Sequence, residues 1–334
     1  MFTLSYATSH TSQTAMLTFA LNFASLLLMA RPATTAAADS LPPPKAIPAP
    51  RALTISTKDG VNLHTTYYPG TEGKKTAVIV LLHGDKGPMG PGSGTDCAAL
   101  AAYLQTEKHA VFTPDLRGYG RSTSVNAESS DDGDSGTMDS KRFRRDDIKA
   151  MVEYDMEALK KKIVELHNKG DLNANLICVV GFDMGSVVAL NWTRLDWNMQ
   201  SLPNLKQSED VRAMVLVSPL QSFRGYAIRE ALANDAVRGE VDAMVIFGTR
   251  APTNAASGRR IFKTLERSHA PIPTDEKERK AKQDLFLREL PTSLMGTRLL
   301  SVRELQLPQH IRDFVALRVV QHRDRYPWKS RVIR

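Results

Sequence analysis

The sequence predicts an α/β protein with a mostly parallel sheet covered by helices on both faces, on three observations. An alternating hairpin opens the ordered part of the chain, apolar runs of strand length then recur, and helix-period segments separate them. The chain has 334 residues, 42% of them apolar, which suits one large α/β domain and excludes a disordered polypeptide.

The first segment stands apart. Residues 17–30 (LTFALNFASLLLMA) form an uncharged apolar run, followed by Arg31, Pro32 and Ala36-Ala37-Ala38. This matches the apolar region and small-residue cleavage site of a secretory signal peptide and is too short for a comfortable membrane span. The expectation is a signal over residues 1–38, a mature chain beginning near Asp39, and a periplasmic or extracellular destination. A membrane association would then come only through a retained signal anchor. Residues 39–50 read as a linker, because the prolines of 42–50 (PPPKAIPAP) hold the chain extended.

The domain is expected over residues 51–334. Residues 51–57 and 61–68 alternate around Lys58-Asp59-Gly60, a hairpin with an Asp-Gly turn. Residues 76–82 (TAVIVLL) are continuously apolar, as in a strand buried on both faces. A helix over 98–105, a strand over 110–113 and a long amphipathic helix over 147–169 come next. That helix carries Ile148, Met151, Tyr154, Leu159, Ile163 and Leu166 near one stripe. Then come a strand over 176–180, a helix from Met184 to about Trp192, strands over 211–217, 241–247 and 285–290, and a closing helix over 303–320. These make eight strands. Residues 122–137 are polar, rich in Gly, Ser and Asp, and aperiodic, hence a surface loop. Trp328 reads as a tail anchor packed on the domain. Ligands of such sheets sit at the carboxyl ends of the strands.

The formal net charge of +8 is spread through interleaved basic and acidic segments, so no nucleic-acid-binding stripe is expected. Cys97 and Cys178 fall in apolar segments on different elements and are expected to be free buried thiols, although export would permit a disulfide. No Cys/His set has zinc-ligand spacing; neither metal nor cofactor is expected.

Three motifs sit at strand ends: His83-Gly84, the run Asp115-Leu116-Arg117-Gly118-Tyr119-Gly120-Arg121-Ser122, and Gly181-Phe182-Asp183-Met184-Gly185. In this order and spacing they resemble the α/β-hydrolase superfamily over roughly residues 51–320, and most specifically over 76–192. The resemblance implies an eight-stranded α/β-hydrolase fold with a strained nucleophile elbow centred on Asp183. It also implies an oxyanion hole from the backbone N–H groups of Asp85 and Met184. The run after Asp115 implies a structural turn.

The sequence departs from the family where its chemistry resides. Asp183 stands where the family usually has Ser. A subset resembling haloalkane dehalogenases and epoxide hydrolases uses Asp there, but hydrolysing the resulting ester requires a histidine backed by a carboxylate. The family's acid position after the seventh strand reads Ala251, the variant position after the sixth reads Ser218-Pro219-Leu220-Gln221, and the histidine position reads Met295. Residues 218–240 are too few for a cap domain. Beside an anionic-surface binder acting through the basic helices, two readings remain. One is a catalytically inactive relative that binds a small molecule or protein or serves structurally. The other is an active hydrolase with Asp183 as nucleophile on an ester, epoxide or alkyl halide, served by a relocated histidine. His83 is the candidate for that role; its competing reading is a residue that packs a turn.

Overall fold

The computed structural model describes residues 46–90, 92–125, 136–200 and 206–332. The expected signal, most of the Pro-rich linker and the centre of the polar loop, 126–135, lie outside the described residues. The ends of that loop pair with the domain, Val61 bridging Val125 and Ser124 bridging Thr137.

Strands β1 (Arg51–Ser56) and β2 (Asn62–Tyr68) form the expected hairpin, in register from Arg51 opposite Tyr67 to Ser56 opposite Asn62. The chain continues through strand β3 (Val78–Leu82), helix α1 (Ala98–Thr106), strand β4 (Ala110–Pro114), helices α2 (Arg145–Ala150) and α3 (Met156–Asn168), strand β5 (Ile177–Phe182), helix α4 (Met184–Asn198) and strand β6 (Val211–Val217). A small hairpin, β7 (Ser222–Phe223) with β8 (Tyr226–Ala227), and short helices α5 (Arg229–Ala233) and α6 (Asp235–Gly239) lead to β9 (Asp242–Gly248). They occupy the place of a cap domain without building one. Helices α7 (Pro252–Glu266) and α8 (Glu276–Lys282), strand β10 (Leu285–Leu290) and helix α9 (Leu307–Val315) complete the domain among the described residues.

The eight long strands form one sheet in the order β1-β2-β4-β3-β5-β6-β9-β10. Strand β2 runs antiparallel to β1 and β4; the remaining neighbours are parallel. This is the mostly parallel α/β-hydrolase sheet that the sequence predicts. Because side chains alternate along a strand, β3 and β5 feed two cores. Val78, Val80, Ile177 and Val179 pack with α2, α3, α4 and α7 on one face. Ile79, Leu81, Cys178 and Val180 pack with α1 and α9 on the other. Both cysteines are buried free thiols, and burial raises both above the ordinary thiol pKa.

Two helices depart from the expected regularity. The long helix opens into a wide π-type turn at Met151–Asp155, and the closing helix does so at Ala316–Val320. A π turn adds one residue to the turn and so rotates the rest of the helix about its axis. Tyr154, expected on the apolar stripe, is half-buried, while Val152 and Asp155 turn inward. Likewise Arg318 and Val319 are buried, while Leu317 and Val320 are half-buried. The closing helix also starts later than expected, at Leu307, with Pro308 in its first turn and a 3₁₀ turn at Arg303–Leu305 before it.

Each π turn therefore brings a charged side chain into the domain. Asp155 accepts hydrogen bonds from Arg117 Nη2 at 2.7 Å, Nε at 2.9 Å and the Arg117 N–H at 3.0 Å. Arg117 Nη1 reaches Asp59 at 2.6 Å. Arg318 Nε pairs with Asp242 at 3.0 Å. The run that begins at Asp115 is structural too: the Asp115 carboxylate accepts from the N–H groups of Gly94 at 2.7 Å and Arg121 at 3.0 Å.

The tail after α9 is pinned to the N-terminal edge of β5. Trp328 donates from Nε1 to the His167 carbonyl at 2.9 Å, with Lys74 Nζ 3.9 Å above its ring. The side chains of Asn173, Asn175 and Asn168 donate to the carbonyls of Tyr326, Pro327 and Arg331.

Removing the Arg117 side chain would leave the fully buried Asp155 carboxyl without its cation and side-chain hydrogen-bond donors. Arg117→Ala is expected to cost about 3–5 kcal/mol in chemical denaturation, whereas replacing both partners together, Arg117→Met with Asp155→Leu, costs much less.

Candidate functional site at the strand-to-helix elbow

The chain turns from β5 into α4 at Asp183, whose backbone sits at φ 46°, ψ −111°, a conformation costly for a residue with a side chain. Its neighbours permit the turn. A Cβ on Gly181 would lie 2.4 Å from the Gly185 carbonyl oxygen, and one on Gly185 would lie 2.3 Å from that of Leu82. Only glycine at both positions lets α4 start this close to β5 and β3. Asp183 N–H donates to the Val217 carbonyl at 3.0 Å, and Ser186 N–H donates to the Asp183 carbonyl at 3.0 Å, which clamps the elbow at both ends.

The Asp183 side chain projects above the carboxyl ends of the strands into a cavity of about 440 Å³. Gly84, Asp85, Met89, Leu220, Met295 and Arg298 help to line it. The carboxyl group meets carbon where a donor would be needed. A Cβ on Gly84 would lie 2.7 Å from Asp183 Oδ2 and one on Gly296 only 1.7 Å from it, so Oδ2 rests between two glycine backbones. Oδ1 is buried without a hydrogen-bond partner. Burial pushes the carboxyl up to about 7; the attraction of Arg298 opposes the shift and the Asp85 carboxylate adds to it. Arg298 makes no ion pair among the described residues, and its attraction acts across a gap.

The other sequence-predicted positions surround this carboxyl unevenly. The N–H groups of Asp85 and Met184 carry no hydrogen bond within the described residues, and α4 begins at Met184. The side chain of Asp85 is tied down, accepting from Tyr119 Oη at 3.3 Å with Arg224 3.5 Å away. Met295 lines the cavity. With Leu220 it also lines a second cavity of about 460 Å³ that extends to Thr253, Asn254 and Ser257 of α7. Ala251 lies at the N-terminus of α7, outside the lining of the elbow cavity.

His83, the candidate base, has a backbone partner at each ring nitrogen. The N–H of Leu116 donates to its Nε2 at 3.1 Å, so the ring proton resides on Nδ1, which faces the Gly84 carbonyl at 3.0 Å. The ring is fully buried against Tyr119, and burial lowers its pKa. With both nitrogens engaged by backbone, His83 packs a turn. An imidazole–carboxylate couple does exist among the described residues: His269 Nδ1 lies 2.9 Å from Asp284 Oδ1, at an angle poor for a hydrogen bond. Asp284 precedes β10, whereas Met295 and Gly296 come after it. At about 3.3 Å per residue, the strand alone separates the couple from the elbow by roughly 20 Å.

Sequence reasoning missed Arg298 and the parts played by Gly296 and Ser218. Ser218 Oγ accepts from the Gly296 N–H at 2.9 Å and holds that backbone over Asp183. No local pattern marks a pairing across so much intervening chain.

A strained elbow on a central parallel strand, opening into a cavity at the strand ends, defines a protein of the α/β-hydrolase class. The chain belongs to the Alpha/beta hydrolase family, whose sequence profile matches residues 79–332. Among solved structures it resembles EstE1, a thermophilic carboxylesterase cloned from a metagenomic library (TM-score 0.53, 13% identity, covering 83% of this chain and 90% of that one). It also resembles esterase 2 of Thermogutta terrifontis (TM-score 0.50, 16% identity, 81% and 96% covered). A third likeness is to a protein of unknown function from Agrobacterium tumefaciens (TM-score 0.52, 13% identity, 79% and 94% covered). At these identities the likeness concerns the fold. A search of curated proteins finds no match.

The Asp183 shift has a pH signature. The folded state holds the carboxyl near 7 while the unfolded chain ionises it near 3.8. Between those values the unfolded state loses its proton first, so Asp183 destabilises the fold increasingly as pH rises through that window, by at most about 4 kcal/mol above it. The stability of Asp183→Asn relative to wild type is therefore expected to rise from pH 4.5 to pH 8 in denaturant titrations, with most of the rise below pH 7.

Proposed function

We propose that this chain is a non-hydrolysing member of the α/β-hydrolase family that keeps the cavity over its elbow as a binding site for a small molecule or a segment of a protein partner. The observation that carries the reading is the isolation of Asp183. Its carboxyl has neither a hydrogen-bond donor nor a histidine among the described residues lining its cavity. In this family, turnover through a covalent ester needs a base to activate water. The positions that would supply that base and its acid carry Met295 and Ala251, and His83 has both nitrogens engaged. Triad members act as a unit, so losing the base alone removes most of the rate.

Asp183 could still attack an epoxide or alkyl halide carbon when ionised, but the ester would have no general base to release it. The reading thus allows at most a single covalent event per chain and no turnover. Two elbow N–H groups and Arg298, all without partners among the described residues, leave the cavity able to hold a polar ligand group, while Met295, Leu220 and Met89 offer apolar contact. Export through residues 1–38 belongs to the same proposal and rests on the apolar run and the Ala-rich stretch after it. Amino-terminal sequencing of secreted protein is expected to begin near Asp39.

The test incubates mature protein with short-chain esters, epoxides and alkyl halides and monitors multiple turnover beside Asp183→Ala. No turnover above background is expected from either. Catalytic turnover that disappears in Asp183→Ala would overturn the proposal and restore Asp183 as a working nucleophile.

A further inference from the structure

A third cavity, of about 360 Å³, lies between the docked C-terminal tail and the body of the domain, at the opposite end of β5 from the elbow. Five of the residues lining it are cationic, Lys206, Arg212, Arg325, Lys329 and Arg331, and none is acidic. The tail creates this concentration. The docking contacts of Trp328 and the asparagines bring 325–331 against Lys206 and Arg212, more than a hundred residues earlier.

The cations fall into two groups. Arg331 and Lys206 are held by Asp210, which is fully buried: Arg331 Nη1 lies 2.8 Å from Asp210 Oδ2, and Lys206 Nζ lies 3.0 Å from Oδ1. Asp210 is further shared with Lys160 at 3.4 Å. The other three have no carboxylate partner among the described residues. Arg212 is sandwiched by rings, its guanidinium carbon 4.0 Å from the Tyr326 centroid and 5.5 Å from that of Trp197, and its Nε is buried without a hydrogen bond. Arg325 and Lys329 are exposed at the rim. Burial lowers the Lys206 pKa; Asp210 opposes the shift, and Arg331 and Arg212 deepen it.

Asp210 balances part of this charge, but three cations without a carboxylate partner converging on one concavity are costly unless an anion neutralises them. Arginine forks and a lysine suit the oxygens of a phosphate group. We propose that this cavity binds a phosphorylated ligand carrying two or more negative charges, with Arg212, Arg325 and Lys329 as its principal contacts and Arg331 and Lys206 set in place by Asp210. Such a ligand could be a free diphosphate or a phosphorylated lipid headgroup, because the oxygens recognised are the same.

The test titrates pyrophosphate into the mature chain at low salt by calorimetry. It also measures sedimentation with phosphatidylcholine vesicles, plain or doped with phosphatidic acid. Saturable pyrophosphate binding is expected, with affinity falling as salt is raised. Arg325→Ala and Lys329→Ala are each expected to weaken it roughly ten-fold. Lys280→Ala, on α8 and outside the lining, should leave it unchanged. Both rim residues are exposed, so these variants are expected to keep the wild-type circular dichroism. Sedimentation with doped vesicles only, reversed by pyrophosphate, would support the proposal with the headgroup as the source. Absence of saturable binding in both arms, or equal binding by Arg325→Ala, Lys329→Ala and Lys280→Ala, would overturn it.

Discussion

The approach of α4 to the centre of the sheet is the constraint that shapes the site. Gly181 and Gly185 remove the two Cβ atoms that would collide with backbone oxygens, and the strained Asp183 between them is held by Val217 and Ser186. The central strands β3 and β5 are buried on both faces, so the sheet cannot yield to relieve this strain. The side chain at 183 is therefore presented at one point, whatever its chemistry. Here it holds a carboxyl between two glycine backbones with no hydrogen-bond donor among the described residues.

That carboxyl gives the site its character. A carboxylate removed from water without hydrogen bonds is costly, and the protein lowers the cost by letting the group approach neutrality near pH 7. Contrast Asp155, which is fully buried, receives three hydrogen bonds from Arg117 and belongs to the scaffold. The same domain thus holds one carboxyl that is satisfied and one that is not, and the unsatisfied one sits at the mouth of a cavity. A buried polar group left unpaired needs an explanation, and the proposed ligand supplies one for Asp183.

Much of the scaffold was legible in the sequence. The eight strands, the opening hairpin, the elbow and the missing cap are set by period, by runs such as 76–82 and by glycine spacing, all of which express local physics. The π turns were not legible. A helix-period pattern supposes constant rotation per residue, and one inserted residue at Met151–Asp155 or Ala316–Val320 breaks that supposition, with Asp155 and Arg318 turning inward as the result. His83 was ambiguous for a different reason: its role depends on the Leu116 N–H and the Gly84 carbonyl, which no spacing rule foretells.

The sequence alone determined the class of fold and which residue occupies the elbow, because both depend on side chains close together in the chain. Tertiary structure alone decided what surrounds that residue: Gly296 held over it by Ser218, Arg298 across the cavity, and the only imidazole–carboxylate couple among the described residues lying at the opposite end of β10. It likewise decided that charges scattered along the sequence meet in one cavity under the tail. The physical reason is the same in each case. Electrostatics and hydrogen bonding act over a few ångströms of space, and residues far apart in sequence reach that range only once the strands have set their register.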